Sequence, residues 1–189
     1  LLRHIVSHIL LRGALLALLP VGLLTTGCNT AGCTDNHSSL PLMGFYDYAT
    51  GEAVALDSLD LGGVGAPGDS LLVSSGQRVS QVYLPFRDAT NSTSFRLHYD
   101  YKLQGLDNPE FDDIITFHYD VEPFFASSEC GAMYRYIIHN VDYTRHLVDS
   151  VAVVDSVITN VEMERIKVFF RTSAPDDGNG DYPQEGGEE

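Results

Sequence analysis

The chain has 189 residues, with 11 Lys+Arg against 26 Asp+Glu and a formal charge of −15. So acidic a balance excludes the basic patches that nucleic acid or anionic lipid headgroups require, and neither is expected as a partner. The length suits one domain with a real core, and no internal repeat is visible.

Residues 1–27 differ from the rest. They hold Arg3 and Arg12, no acidic residue, and an apolar run of 11 residues from Ala14 to Leu24, interrupted by Pro20 and Gly22. As a helix that run would rise roughly 16 Å, well short of a bilayer core of about 30 Å. Basic residues, a short apolar stretch and then small residues is the order of a cleaved secretory signal. Leu24-Thr25-Thr26-Gly27-Cys28 resembles the lipobox of bacterial lipoproteins, with Thr25 where that motif usually has leucine. The resemblance implies cleavage before Cys28, diacylglycerol on its thiol and a fatty acid such as palmitate on the new amine. One acyl chain binds a membrane marginally, at ~0.8 kcal/mol per buried CH₂, whereas two or three hold stably. Cleavage removes two of the basic residues, leaving 9 Lys+Arg against 26 Asp+Glu and a charge of −17.

Residues 28–40 are then a lipidated tether. With Cys28 acylated, Cys33 and Cys130 remain, an even count in an oxidising compartment. They suit either two free thiols or a bridge, which would close a long loop worth roughly 4–5 kcal/mol by chain entropy.

From residue 41 to 171 period-two alternation dominates, and strands are expected throughout. In chain order they are Leu42–Tyr48, Ala53–Asp60, Leu71–Ser74, Val79–Leu84 and Phe95–Tyr101. Ile115–Val121, Met133–Asn140, Ser150–Val157 and Ile166–Phe170 follow, the last alternating against Arg165, Lys167 and Arg171. Phe124–Ser128 and Val141–Arg145 are read as loops or edges. Turn chemistry separates the runs at Thr50-Gly51, Gly62-Gly63, Pro67-Gly68-Asp69, Ser75-Gly76, Gly105 and Asn108-Pro109. No segment carries a sustained 3.6-residue apolar period with caps. About nine short strands, each with one apolar face, predict an all-β fold: a single antiparallel β-sandwich or small barrel. Most of the 10 Tyr and 9 Phe fall on alternating positions, as core and cross-strand pairs would. From residue 172 to 189 the chain turns into an acidic tail; Asp176–Glu189 has six acidic residues, four glycines and no basic residue. Such a segment buries too little apolar surface to offset its ordering entropy, and disorder is expected.

Several stretches carry a family likeness. They are Cys33-Thr34, Gly44-Phe45-Tyr46-Asp47, Val82-Tyr83-Leu84-Pro85, Asp113-Ile114-Ile115-Thr116-Phe117 and Ser128-Glu129-Cys130-Gly131. Together they resemble an envelope lipoprotein family of the Bacteroidetes known as domain of unknown function 6452, over roughly residues 28–171. The resemblance implies lineage and an envelope setting but no chemistry. It also places Cys33 and Cys130 on matching positions, which implies that they pair as a disulfide.

Candidate sites are weak. His98, His118, His139 and His146 lack the tight spacing of a metal motif, so no metal and no cofactor is expected. Asp112-Asp113 with Glu122 could supply acid and base for glycoside hydrolysis, but 26 acidic residues make chance pairs common. There is no Gly-x-Ser-x-Gly, and no catalytic residue is assigned. Asp-Ser-aliphatic recurs at Ser58, Ser70, Ser150 and Ser156, which resembles the acceptor motif of O-glycosylation in Bacteroidetes; Asp-Ser also favours strand starts through local backbone bonds. Asn91-Ser92-Thr93 is a formal sequon with little meaning on a bacterial lipoprotein. Tyr46, Tyr48, Tyr134 and Tyr136 are candidates for stacking on a glycan or small ligand if they face solvent. The reading is a non-enzymatic envelope lipoprotein with a binding or structural role, alone or within an envelope complex. A ligand-binding module and a carboxylate hydrolase are the alternatives. Asn29 after the cysteine, where aspartate would retain the protein at the inner membrane, favours the outer membrane. The lack of an acidic run beside Cys28 favours its periplasmic face.

Overall fold

The computed structural model describes residues 38–100 and 107–171. Residues 1–27, where a signal is expected, Cys28, Cys33, Tyr101 and the acidic tail lie outside the described residues. Among the described residues no helix is long and apolar enough to cross a membrane.

Among the described residues ten strands follow one another: β1 Leu42–Asp47, β2 Leu59–Gly63, β3 Leu71–Val73, β4 Gln81–Tyr83, β5 Ser92–Tyr99, β6 Asp113–Ser127, β7 Gly131–Tyr143, β8 Val148–Val153, β9 Val157–Ile158 and β10 Glu164–Phe170. They form a four-stranded sheet in the order β4-β1-β10-β8 and a six-stranded sheet in the order β3-β2-β5-β6-β7-β9. The all-β sandwich expected from alternation is present, because period two puts one row of each strand inside. Phe95, Leu97 and Tyr99 are buried on β5, and Ile115, Phe117 and Tyr119 on β6. They share one apolar cluster with Met43, Phe45, Ile166, Val168 and Phe170 of the other sheet. Each such side chain contributes about 1.5–3 kcal/mol on leaving water.

Five details depart from the sequence reading. β1 and β10 run parallel, Phe45 beside Val168, while the other strand pairs are antiparallel. Ala53–Asp60 is not one strand. Ala53 and Leu56 make isolated bridges to Tyr46 and Val79, and β2 begins only at Leu59. Ser150–Val157 divides into β8 and β9, which belong to different sheets. The chain turns between them where Asp155 accepts the Val157 N–H at 2.9 Å. Phe124–Ser127 and Val141–Tyr143 are strand rather than loop, because β6 and β7 pair from Ile115↔Tyr143 to Ser127↔Gly131. Finally, Arg165 is buried and ion-paired with Asp155, so it does not join Lys167 and Arg171 on the solvent face.

Two crossovers between the sheets are pinned by buried polar groups. Between β4 and β5, the Tyr119 hydroxyl donates to the Arg87 carbonyl at 2.8 Å and accepts the Arg87 N–H at 3.0 Å. It also meets the Thr93 hydroxyl at 2.6 Å. Between β7 and β8, Asp113 accepts the N–H groups of His146, Leu147 and Val148 at 2.8, 2.8 and 2.9 Å. These bonds satisfy backbone donors that neither sheet can reach.

Candidate functional site

β6 and β7 outrun their neighbours. β5 pairs with β6 only as far as Ser92↔His118, and β9 pairs with β7 only at Tyr136 and Ile137. Beyond that the two strands continue as a ribbon, which is why Pro123, lacking an N–H, is tolerated on β6. Cross-strand partners share a face, so Tyr119↔Ile138, Val121↔Tyr136, Pro123↔Tyr134 and Phe125↔Ala132 make one apolar stripe. Its exposure climbs from 0 % at Tyr119 through 5 % at Tyr136 to 48 % at Tyr134 and 72 % at Phe125. The stripe begins as core and ends in solvent. Gly131, at φ +73°, closes the tip where a side chain would be strained.

Against this stripe lies the β4–β5 crossover. The Phe86 ring stacks on Tyr119 with centroids 4.6 Å apart at 11°, and meets Tyr136 edge-on at 5.5 Å. A cleft of about 560 Å³ opens there, lined by Leu40, Pro85, Phe86, Met133, Tyr134 and Tyr136 together with Ser38, Asp88 and Ala132. That volume falls within the usual range of small-ligand sites, about 300–1,000 Å³. Burial, with the Asp88 charge second, pushes the Tyr136 hydroxyl up to about 12. Among the described residues no basic one lines the cleft. Arg87 spends its guanidinium on the Val64 carbonyl at 2.7 Å, and Arg135, on the other face of β7, pairs with Glu122 at 2.7 Å.

The other candidates are engaged elsewhere. Asp113 is fully buried and accepts five hydrogen bonds. Asp112 holds His98 Nδ1 at 2.7 Å, and Asp107 faces His98 Nε2 at 3.3 Å. Glu122 lies nine residues along β6 from Asp113, roughly 30 Å at strand rise, so the structure does not bring these carboxylates together. His118 faces Asp142 at 2.8 Å, and His146 Nδ1 faces the Asp112 carbonyl at 3.0 Å. Among the described residues no group of three metal-binding side chains converges. Ser70 and Ser156 are exposed, whereas Ser58 and Ser150 are half-buried, Ser150 within β8. Thr93, the sequon hydroxyl, is buried on Tyr119. Of the tyrosines, Tyr48 is exposed, while Tyr46 is partly covered by Lys167, whose ammonium sits 4.5 Å from its ring. Cys130 lies at the ribbon tip, its N–H donating to Ser127 Oγ at 3.0 Å. Phe86 and Asp88 were not singled out from sequence; the one signal was an aromatic, after Pro85, that falls outside the alternating pattern.

Two facing sheets, crossovers pinned by buried polar groups and an aromatic cleft under a projecting ribbon define an all-β domain. The chain belongs to the family described as Family of unknown function (DUF6452), whose model matches residues 58–170. The match runs from the start of β2 to the end of β10, leaving β1, which lies between β4 and β10, outside it. No curated protein and no solved structure matches the chain.

Proposed function

We propose that the protein is a lipid-anchored envelope protein whose β-domain is a non-enzymatic binding module acting through the cleft between Phe86 and the β6–β7 ribbon. One observation carries this reading: the apolar stripe leaves the core and opens into solvent at Tyr134 and Phe125, beside a cleft of ligand size. Large exposed apolar surface with aromatic walls is characteristic of contact sites. By contrast, of the groups considered for chemistry, Asp112 holds His98, Asp113 holds Tyr99 and backbone N–H groups, and Glu122 is paired with Arg135.

The anchor belongs to the same proposal. Basic residues, an apolar run too short to span, and Gly27-Cys28 support cleavage and acylation at Cys28, with the outer membrane's periplasmic face as the setting. A Cys33–Cys130 disulfide is proposed with it, supported by the even cysteine count and by a Cys130 sulfur that is engaged rather than free. Of the four Asp-Ser sites, exposure favours Ser70 and Ser156 as glycan acceptors. The 72 % exposure of Phe125 also supports an accessory role, the ribbon tip docking on a protein of an envelope complex.

Two measurements test the reading. Cys28→Ala is expected to leave the protein unacylated and released from membranes; persistence in the membrane fraction at high salt would refute the anchor. A panel of sugars and small cyclic compounds, screened by ligand-observed NMR against the detergent-solubilised chain, is expected to give saturable binding that Tyr134→Ala abolishes. Binding that survives Tyr134→Ala, or no binding in the panel together with recovery of a stable protein partner through Phe125, would replace the cleft by the docking role.

A further inference from the structure

Resting on the binding-module reading, we infer that the cleft selects a small organic cation, a ligand bearing a substituted ammonium. Three features of the walls point the same way. The rings of Phe86, Tyr134 and Tyr136 line the cleft, Tyr134 standing out at 48 % exposure in front of the two buried rings, and the quadrupole of an open aromatic face attracts a cation within about 6 Å of the ring centre. Asp88, which lines the cleft, is an exposed carboxylate with no salt bridge or side-chain hydrogen bond among the described residues, while Asp107, Asp112, Asp142, Asp149 and Asp155 are all paired. Its charge is felt at Tyr136 across the lining, where after burial it is the next influence disfavouring ionisation of the hydroxyl. Among the described residues no basic side chain lines the cleft, the Arg87 guanidinium reaching the Val64 carbonyl and Arg135 pairing with Glu122. Among the described lining residues an anionic ligand would meet the Asp88 carboxylate and no cation. A neutral ring would satisfy the walls and leave Asp88 unused. The formal charge of −15 further concentrates cations near the surface.

The test compares choline with 3,3-dimethylbutan-1-ol, which has the same shape and no charge, by calorimetry on the full acylated chain in detergent micelles. Choline is expected to bind at least tenfold more tightly than the neutral alcohol. Asp88→Asn should weaken choline roughly tenfold and leave the alcohol unchanged. Tyr134→Ala should weaken both. Asp88 is exposed and unpaired, so thermal melts of Asp88→Asn should match the parent and separate lost binding from lost folding. Equal affinity for the two probes, or choline binding indifferent to Asp88→Asn, would overturn the cation inference while leaving the cleft as a binding site. No choline binding would overturn it too, and the sugar panel would then judge the cleft separately. Retention of Cys28→Ala protein on phosphatidylcholine vesicles, lost with Asp88→Asn, would identify a lipid headgroup as the source; binding to free choline alone would identify a soluble one.

Discussion

The Tyr99 hydroxyl donates to the Asp113 carboxylate at 2.8 Å with both residues buried, which joins β5 to the head of β6 beneath the β7–β8 crossover. The Thr144 hydroxyl and three backbone N–H groups complete the set. A carboxylate used this fully is a structural anchor. Asp113→Ala orphans five donors, and buried unsatisfied groups cost about 1–3 kcal/mol each, so a loss of at least about 3 kcal/mol is expected in urea unfolding. Asp113→Asn, which keeps the shape and one acceptor, should lose less. A loss under about 1 kcal/mol for the alanine variant would mean that the crossover holds without Asp113.

His98 sits between two carboxylates. Its hydrogen bond to Asp112 is the largest influence and raises its pKa above the ordinary 6.5, with Asp107 adding to it and burial opposing. The folded value therefore exceeds the unfolded one, and protonated His98 stabilises the fold. That contribution is complete below the ordinary value and is lost as pH rises through the raised folded value. Urea midpoints should fall over this window in the parent and fall less in His98→Gln. Parallel pH profiles for the two proteins would remove His98 from the linkage.

Tyr136 should titrate late. Its hydroxyl is pushed up to about 12 from 10.0, chiefly by burial, so ultraviolet difference spectra should show its phenol ionising late. The sign is again that of a raised pKa: stability present below the ordinary value of 10.0 is lost as pH climbs toward about 12. Tyr136→Phe should delete the late step. At neutral pH it should cost no more than about 1 kcal/mol, because the bond from the hydroxyl to the Phe86 carbonyl is long, at 3.5 Å.

Gly44 makes room for a neighbour. A Cβ there would overlap the Glu164 carboxylate and come within 3.0 Å of the Tyr46 ring. That carboxylate accepts the Tyr46 hydroxyl at 2.7 Å and the Gln81 amide at 3.0 Å. Gly44→Ala is expected to cost about 1–2 kcal/mol by overpacking. In a Glu164→Ala background the same change should cost less, since the displaced group is gone. Additive effects in a double-mutant cycle would show that Glu164 moves aside freely.

Much of this could be read without coordinates, and what could not follows a pattern. Phe95-Arg96-Leu97-His98-Tyr99 alternates because a strand turns successive side chains to opposite faces, and its odd members are indeed buried. Tyr134 and Tyr136 are candidates from sequence only if they face solvent; Tyr134 does, and Tyr136 is buried. Phe86 and Asp88 were not, because they sit on a crossover, where no period constrains the chain. Arg165 misled in the opposite way: on alternation it belongs with Lys167 outside, yet Asp155, ten residues earlier, neutralises it and lets it be buried.

The sequence by itself determined the all-β class, the apolar row of most strands and the aromatic character of the ribbon, since these depend on local spacing. Only the tertiary structure decided that β1 runs parallel to β10, that Ser150–Val157 serves two sheets, and that Asp113 holds a crossover. It also decided that the stripe from Tyr119 to Phe125 outlasts the strands that would cover it. The physical reason is common to all four. Period two is identical in parallel and antiparallel ladders and in central and projecting strands, so which partner a face meets depends on residues far away in the chain.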